Sequence, residues 1–431
     1  MIRCRDLTVK TPDGQTTILR GANADFQGGG MNAVIGPSGC GKTTLMKAIL
    51  GILPAEGEAS FAGQPIRRSE DLVGKVGFAP QFSIAQPKLT VEESLATTLE
   101  LFVADETERK RRLESILEVV GLAEHRHKRV ESLSGGQLRR IGLGLELTLD
   151  PPCLICDEVT SGLDPLSEDQ ILALMRSLCE SRGKTFLCII HNLAKLDCFD
   201  RVTVVYQGDV VFQGNLESLC AFFEIPDALH LYDRLNEYPL EHWQEKRRGA
   251  REKIERGECS VENGGEAATS TPVHAAAEQA DAPQSSKPSN LQTFPVPGLS
   301  QQLSTLLRRR FLLFFRDTGY LWLTLAITFG FPFLVVIFAL GGLPQIQSIA
   351  LDNSLGFLDR MQQDIEFKMQ AMETASLVTG LIMFQVILLT LMGSNNGARE
   401  IAGERTLFEK ERLSGLGVLP YALSKVVFVL I

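Results

Sequence analysis

Two kinds of apolar patterning divide the chain. Up to about residue 235, short apolar runs alternate with longer amphipathic stretches. MNAVI at 31–35, CLIC at 153–156 and TFLCII at 185–190 are apolar at nearly every position rather than at every second one. Such runs predict strands buried on both faces, as in a parallel sheet. The helical patterns between them then predict an α/β domain over residues 1–235. Residues 236–297 lose this periodicity. They are charged to about Gly257 and then rich in Ala, Ser, Pro and Gln, which predicts a linker with a charged helical start and a flexible remainder. Residues 298–431 turn apolar.

In that last part, GLSQQLSTLLRRRFLLFFRDTGY sets Leu299, Leu303, Leu306, Leu307, Phe311 and Phe314 on one helical face. Arg308, Arg309, Arg310 and Arg316 crowd the polar side, the pattern of a helix lying at a membrane surface. Three apolar stretches follow, at about 320–341, 375–396 and 418–431. The first holds twenty residues without a charge, Leu321–Leu340, enough to span a bilayer core. Gly330 and Pro332 are expected to kink it. The third stops at Ile431 within an apolar run, so a continuation into further spans is expected. Basic residues cluster before the first span and after the second, whereas residues 345–373 carry only Arg360 and Lys368 against five acids. The positive-inside rule therefore puts 345–373 outside, with an amphipathic helix at FLDRMQQDIEFKMQAM, and 397–419 inside. The expected setting is a multi-pass protein of a plasma or bacterial inner membrane with residues 1–235 in the cytoplasm. The start, MIRCRDLTVK, lacks the apolar core of a signal peptide.

The net charge of −9 is spread through the first two parts, and no basic block suits nucleic acid. The nine cysteines are irregularly spaced, which predicts reduced core thiols. Cys153-Leu-Ile-Cys156 lies inside an apolar strand and reads as core rather than redox motif.

The strongest chemistry lies in MNAVIGPSGCGKTTLMKAIL. A strand, a glycine turn and a helix form the context in which G-x-x-x-x-G-K-[ST] binds phosphates. Backbone N–H groups of Gly36, Ser38, Gly39, Cys40 and Gly41 and the helix start through Thr44 can cradle phosphate oxygens. Lys42 reaches the β- and γ-phosphates, and the Thr43 hydroxyl suits Mg²⁺. CLICDE ends a second strand in two carboxylates. Asp157 is suited to Mg²⁺, and Glu158 to the role of general base on water. His191 ends a third strand, where ligands of parallel sheets bind, and can hydrogen-bond the γ-phosphate. Gln81, after the strand in KVGFAPQFS, can reach Mg²⁺ or water.

In order, GPSGCGKT, Gln81, LSGGQ, CLICDE, SGLD and His191 resemble the ATP-binding cassette (ABC) ATPases. The resemblance implies a RecA-like α/β P-loop core, with residues about 85–145 as a helical subdomain, followed by an all-α membrane domain. It implies ATP and Mg²⁺ as cofactors and a head-to-tail pair of cassettes. Ser134, Gly135, Gly136 and Gln137 of one cassette would then cap the γ-phosphate held by the other, with Asp164 running between the two sites. Two departures stand out. Cassettes usually place an aromatic after the first strand to stack on adenine, and DLTVKTPDGQTT has none. Val159 also stands where the family usually has proline. The order cassette first, membrane second resembles the G subfamily of half-transporters. By that resemblance Glu400, Arg405 and Glu409 would pass motion between the ATP site and the spans. The expected protein is an exporter half, working with a second half in a homo- or heterodimer, embedded in membrane lipid and moving an amphipathic or lipid-like substrate. The alternative is a membrane-tethered ABC ATPase with a regulatory or mechanical role and no cargo.

Overall fold

In a computed structural model, the described residues are 1–81, 84–255, 297–330, 333, 336–337 and 356–430. They form two compact units, Met1–Thr305 with Leu407–Tyr421, and Leu306–Thr406 with Ala422–Ile431.

The first unit contains two sheets. β1 (Ile2–Lys10) alternates buried and exposed positions and pairs antiparallel with β2 (Thr17–Phe26) and, on its other side, β4 (Glu56–Phe61), which continues to β5 (Gln64–Pro65). The second sheet has the order β10-β9-β3-β8-β7-β6. Its members are β3 (Met31–Ile35), β6 (Val76–Ala79), β7 (Cys153–Asp157), β8 (Thr185–Ile189), β9 (Arg201–Tyr206) and β10 (Asp209–Gly214). All its pairings are parallel except β9 with β10. β3, β7 and β8 are buried at every residue, as their nearly continuous apolar runs predict. α1 (Lys42–Ile49) buries Leu45, Met46 and Ile49 with side chains of both sheets, Phe26 and Ile155 among them.

α2 (Val91–Phe102), α3 (Glu106–Val119) and α4 (Gly135–Leu147) occupy the stretch expected to form a helical subdomain. Thr90 and Glu93 close a capping box on α2, and Asp105 caps α3. α5 (Pro165–Arg182) starts with Asp164 as its cap and proline in its first turn. α6 (Leu216–Phe223) and α7 (Leu231–Asn236) follow β10. The packed layer continues past residue 235 into α8 (Leu240–Glu255). There Leu240 and Trp243 are buried and the Trp243 indole donates to the Leu235 carbonyl at 3.3 Å. The tether expected beyond α8, at 256–296, lies outside the described residues.

Beyond α9 (Leu299–Arg316), α10 (Thr318–Leu325) leads into one π-helical turn at Ala326–Gly330. Pro332, most of the rest of the first expected span and all of residues 338–355 are not described. α11 (Phe357–Gly403) runs unbroken for 47 residues. The amphipathic segment and the second span are therefore one helix. No glycine or proline interrupts residues 357–379, so nothing in the sequence stops the helix at the span's edge. Within it Leu358–Leu391 is long and apolar enough to cross a membrane, the single such helix among the described residues. Thr390 returns its hydroxyl to the Val386 carbonyl at 2.7 Å, which satisfies it without a partner helix. α12 (Arg405–Leu413) and α13 (Val418–Leu430) complete the chain as described, and Val418–Phe428 forms a shorter apolar helix.

Candidate ATP site and its link to the membrane segment

The four loops expected to carry chemistry leave the C-terminal ends of four neighbouring strands, β3, β8, β7 and β6. That is where a parallel sheet offers its crevice. After β3 the loop turns on Gly36 and Gly41. A side chain on Gly36 would collide with the Val205 carbonyl, and Gly41 caps α1 at φ 104°, a left-handed conformation that favours glycine. The buried Lys42 ammonium donates to the carbonyls of Gly36 at 2.7 Å and Pro37 at 3.0 Å. Ser38 and Gly39 are exposed, Cys40 is buried, and Thr44 is half-buried on α1.

The Thr43 hydroxyl donates to an Asp157 carboxylate oxygen at 3.2 Å. Burial pushes the Asp157 carboxyl up, the Thr43 hydrogen bond pulls it down, and Glu158 raises it further. Hydroxyl and carboxylate are hard oxygen donors, and Mg²⁺ takes few protein ligands beside phosphates and waters, so this pair fits it.

β7 ends at Asp157, and Glu158 takes φ 54°, a left-handed conformation costly for a residue with a side chain. Its orientation is therefore set by this kink rather than by strand alternation. One carboxylate oxygen accepts from the Gln81 amide at 2.7 Å, and the other meets His191 Nε2 at 2.6 Å. Its backbone carbonyl accepts from Ser161 N–H at 3.0 Å. Gln81, Glu158 and His191, far apart in sequence, are thus one cluster.

The LSGGQ turn forms a separate surface. Ser134 caps α4, accepting from Gln137 N–H at 3.3 Å, while the Gln137 side chain accepts from Ser134 N–H at 3.1 Å. The Gln137 side-chain oxygen therefore closes the capping box. Ser134 and Gly135 are exposed. Gly136 is buried, with Ser167 so close that a side chain there would force it aside. Asp164 is likewise a cap, accepting from Ser167 N–H at 3.0 Å, and bonding to Ser167 holds its carboxyl below the usual range.

The contacts of five residues escaped the sequence reading. Arg139, on α4, donates to the Gln81 carbonyl and, at 3.4 Å, to the Ser161 carbonyl. Glu146, two turns further along α4, accepts from Phe78 N–H of β6 at 3.1 Å and pairs with Lys410 of α12 at 2.8 Å. Both members of that pair are 5 % exposed. Leu413 joins the core beneath β1, β2 and α1, and Arg412 pairs with Glu70 at 2.6 Å. Lys410, Arg412 and Leu413 of α12 thus all engage the cassette. Arg405 and Glu409 are exposed and one turn apart on α12, and the Glu400 side chain lies outside those described. A lone carboxylate in the apolar run IGLGLEL was the available signal for Glu146.

Glycine-loop strand, Mg²⁺-suited pair, strand-end carboxylate and a capped LSGGQ helix together define a P-loop ATPase of the cassette kind. The ABC transporter family model matches residues 19–161, and the ABC-2 type transporter model matches residues 301–431. An ABC transporter ATP-binding/permease protein of Mycobacterium tuberculosis is 28 % identical over 423 residues, covering 96 % of this chain and 43 % of that protein. An energy-coupling factor transporter ATP-binding protein of Thermotoga maritima is 36 % identical over 205 residues, covering 46 % of this chain and 77 % of that protein. A solved ATP-binding subunit of an ABC transporter aligns with a TM-score of 0.49 at 26 % identity, over 55 % of this chain and 99 % of that one. The chain belongs to the ABC transporter family: an ATP-binding cassette followed by an ABC-2-type membrane domain. It spans less than half the length of its mycobacterial relative.

Proposed function

We propose that the protein is half of an ATP-driven exporter, which pairs with a second half and moves an amphipathic or lipid-like substrate. In this reading Gly36–Thr44 hold the ATP phosphates, with Lys42 exchanging its loop carbonyls for the β- and γ-oxygens. Thr43 and Asp157 hold Mg²⁺, which when bound offsets phosphate charge. Glu158 takes the proton of the attacking water, Gln81 orients that water and His191 holds the γ-phosphate side of the site. Ser134 and the N–H groups of Gly135 and Gly136 face the partner's ATP.

The observation that carries the reading is the buried Lys410–Glu146 pair. α12 comes directly after the apolar helix α11, and Glu146 lies on the helix that begins with LSGGQ. A buried pair of this kind tolerates little independent movement, because separating it strands a charge in the interior. It suits a joint through which cassette motion reaches the membrane segment. The test is ATP-driven uptake of a fluorescent amphiphile into inside-out vesicles, with Glu158→Gln vesicles as control. Uptake that requires Glu158 is expected. ATP turnover with no flux of any amphiphile would overturn export and favour a tethered ATPase.

A further inference from the structure

We propose that Arg139 is a positioning residue that makes hydrolysis at one ATP site depend on nucleotide at the other. The proposal rests on the head-to-tail pairing above. Arg139 lies five residues into the helix that Ser134 caps, and its guanidinium reaches two loops. One nitrogen donates to the Gln81 carbonyl and another to the Ser161 carbonyl. Those two residues are also holders of Glu158. The Gln81 side chain binds a Glu158 carboxylate oxygen, and Ser161 N–H binds the Glu158 carbonyl. A guanidinium presents its donors in a rigid planar fork, so one side chain fixes both carbonyls at a set separation.

The same helix face continues to Glu146. Leu138, Arg139, Gly142, Leu143 and Glu146 line one small cavity with Ala79 and Val159. α4 therefore carries, along about 18 Å of rod, the Ser134 turn at its tip, the Arg139 brace and the buried Lys410 pair. When the tip engages the partner's γ-phosphate, any shift of α4 is delivered through Arg139 to both supports of this chain's own Glu158. A rod with three fixed attachments transmits displacement better than loops joined by water. Burial disfavours the Arg139 charge and Glu158 offsets this, which matches a cation placed to face that carboxylate.

The test compares wild type, Arg139→Ala and Arg139→Lys in the full chain, measuring nucleotide binding, turnover, the Hill coefficient for ATP and the melting temperature. For Arg139→Ala, ATP affinity is expected to stay within about twofold while turnover falls about tenfold. The Hill coefficient should drop toward about 1. Arg139→Lys, with donors but no fork, should fall between the two. Unchanged turnover and cooperativity in Arg139→Ala would overturn the proposal. So would losses of affinity, turnover and melting temperature that run in parallel and that Arg139→Lys restores completely, because a purely structural residue behaves that way. Failure of the pairing itself reads out separately: Glu158→Gln with intact Arg139 would then bind ATP without doubling in mass.

Discussion

At the residue scale, the buried pair of Lys410 and Glu146 has a definite pH signature. Burial pushes the Glu146 carboxyl above its ordinary 4.5, and Lys410 works against that shift. A carboxyl whose folded value is raised binds its proton more tightly in the folded chain. Ionisation above pH 4.5 therefore works against folding, increasingly so as pH rises. In Lys410→Ala the offset vanishes, and a destabilisation of about 3–5 kcal/mol is expected near neutral pH. The loss of melting temperature relative to wild type should grow between about pH 5.5 and pH 8. Equal losses at both values would show that Glu146 is not charged in the native protein. Glu158 illustrates a different limit. Its identity was legible from CLICDE, but its left-handed backbone and double anchoring by Gln81 and His191 were not. Strand alternation describes a residue inside a strand, and Glu158 is the first one outside it.

At the element scale, the start of α4 is the informative feature. The S-x-x-Q spacing encodes the capping box locally, so both the helix start and the exposed Ser134 were readable. Ser134→Arg is expected to lose hydrolysis while the chain keeps its nucleotide affinity, because the P-loop is built from other elements. Titration with a fluorescent ATP analogue beside a phosphate-release assay separates the two; intact release would exclude a role for this turn in the partner's site. α11 shows the opposite case. Charge counting divides it into an outer amphipathic helix and a span, whereas the backbone continues through both. Charge reports the surroundings of a residue, and helix continuity depends on local breakers that this segment lacks between 357 and 379.

At the scale of the whole molecule, the cassette draws its core from distant parts of the chain. Leu413 packs with residues of the first fifty, and Leu407–Tyr421 belong to the same compact unit as the ATP site. Glu158→Gln is expected to bind ATP and lower turnover about 10²–10⁴-fold. It should also accumulate as a pair, read as a doubled mass by light scattering in ATP and a single mass without it. A single mass in both conditions would count against paired cassettes.

What the sequence determined by itself was everything encoded over a short span: the buried strands, the phosphate loop, the helix caps, the apolar stretches and the family resemblance they carry. Backbone propensity and side-chain periodicity act within about ten residues, and these features live there. Only the tertiary structure decided which loops meet at Glu158, that Arg139 bridges two of them, and that Lys410 pairs with Glu146 in the interior. Those choices depend on which face of each helix is buried against a distant element. Local sequence leaves that open, because a charged residue reads the same whether it faces water or a partner.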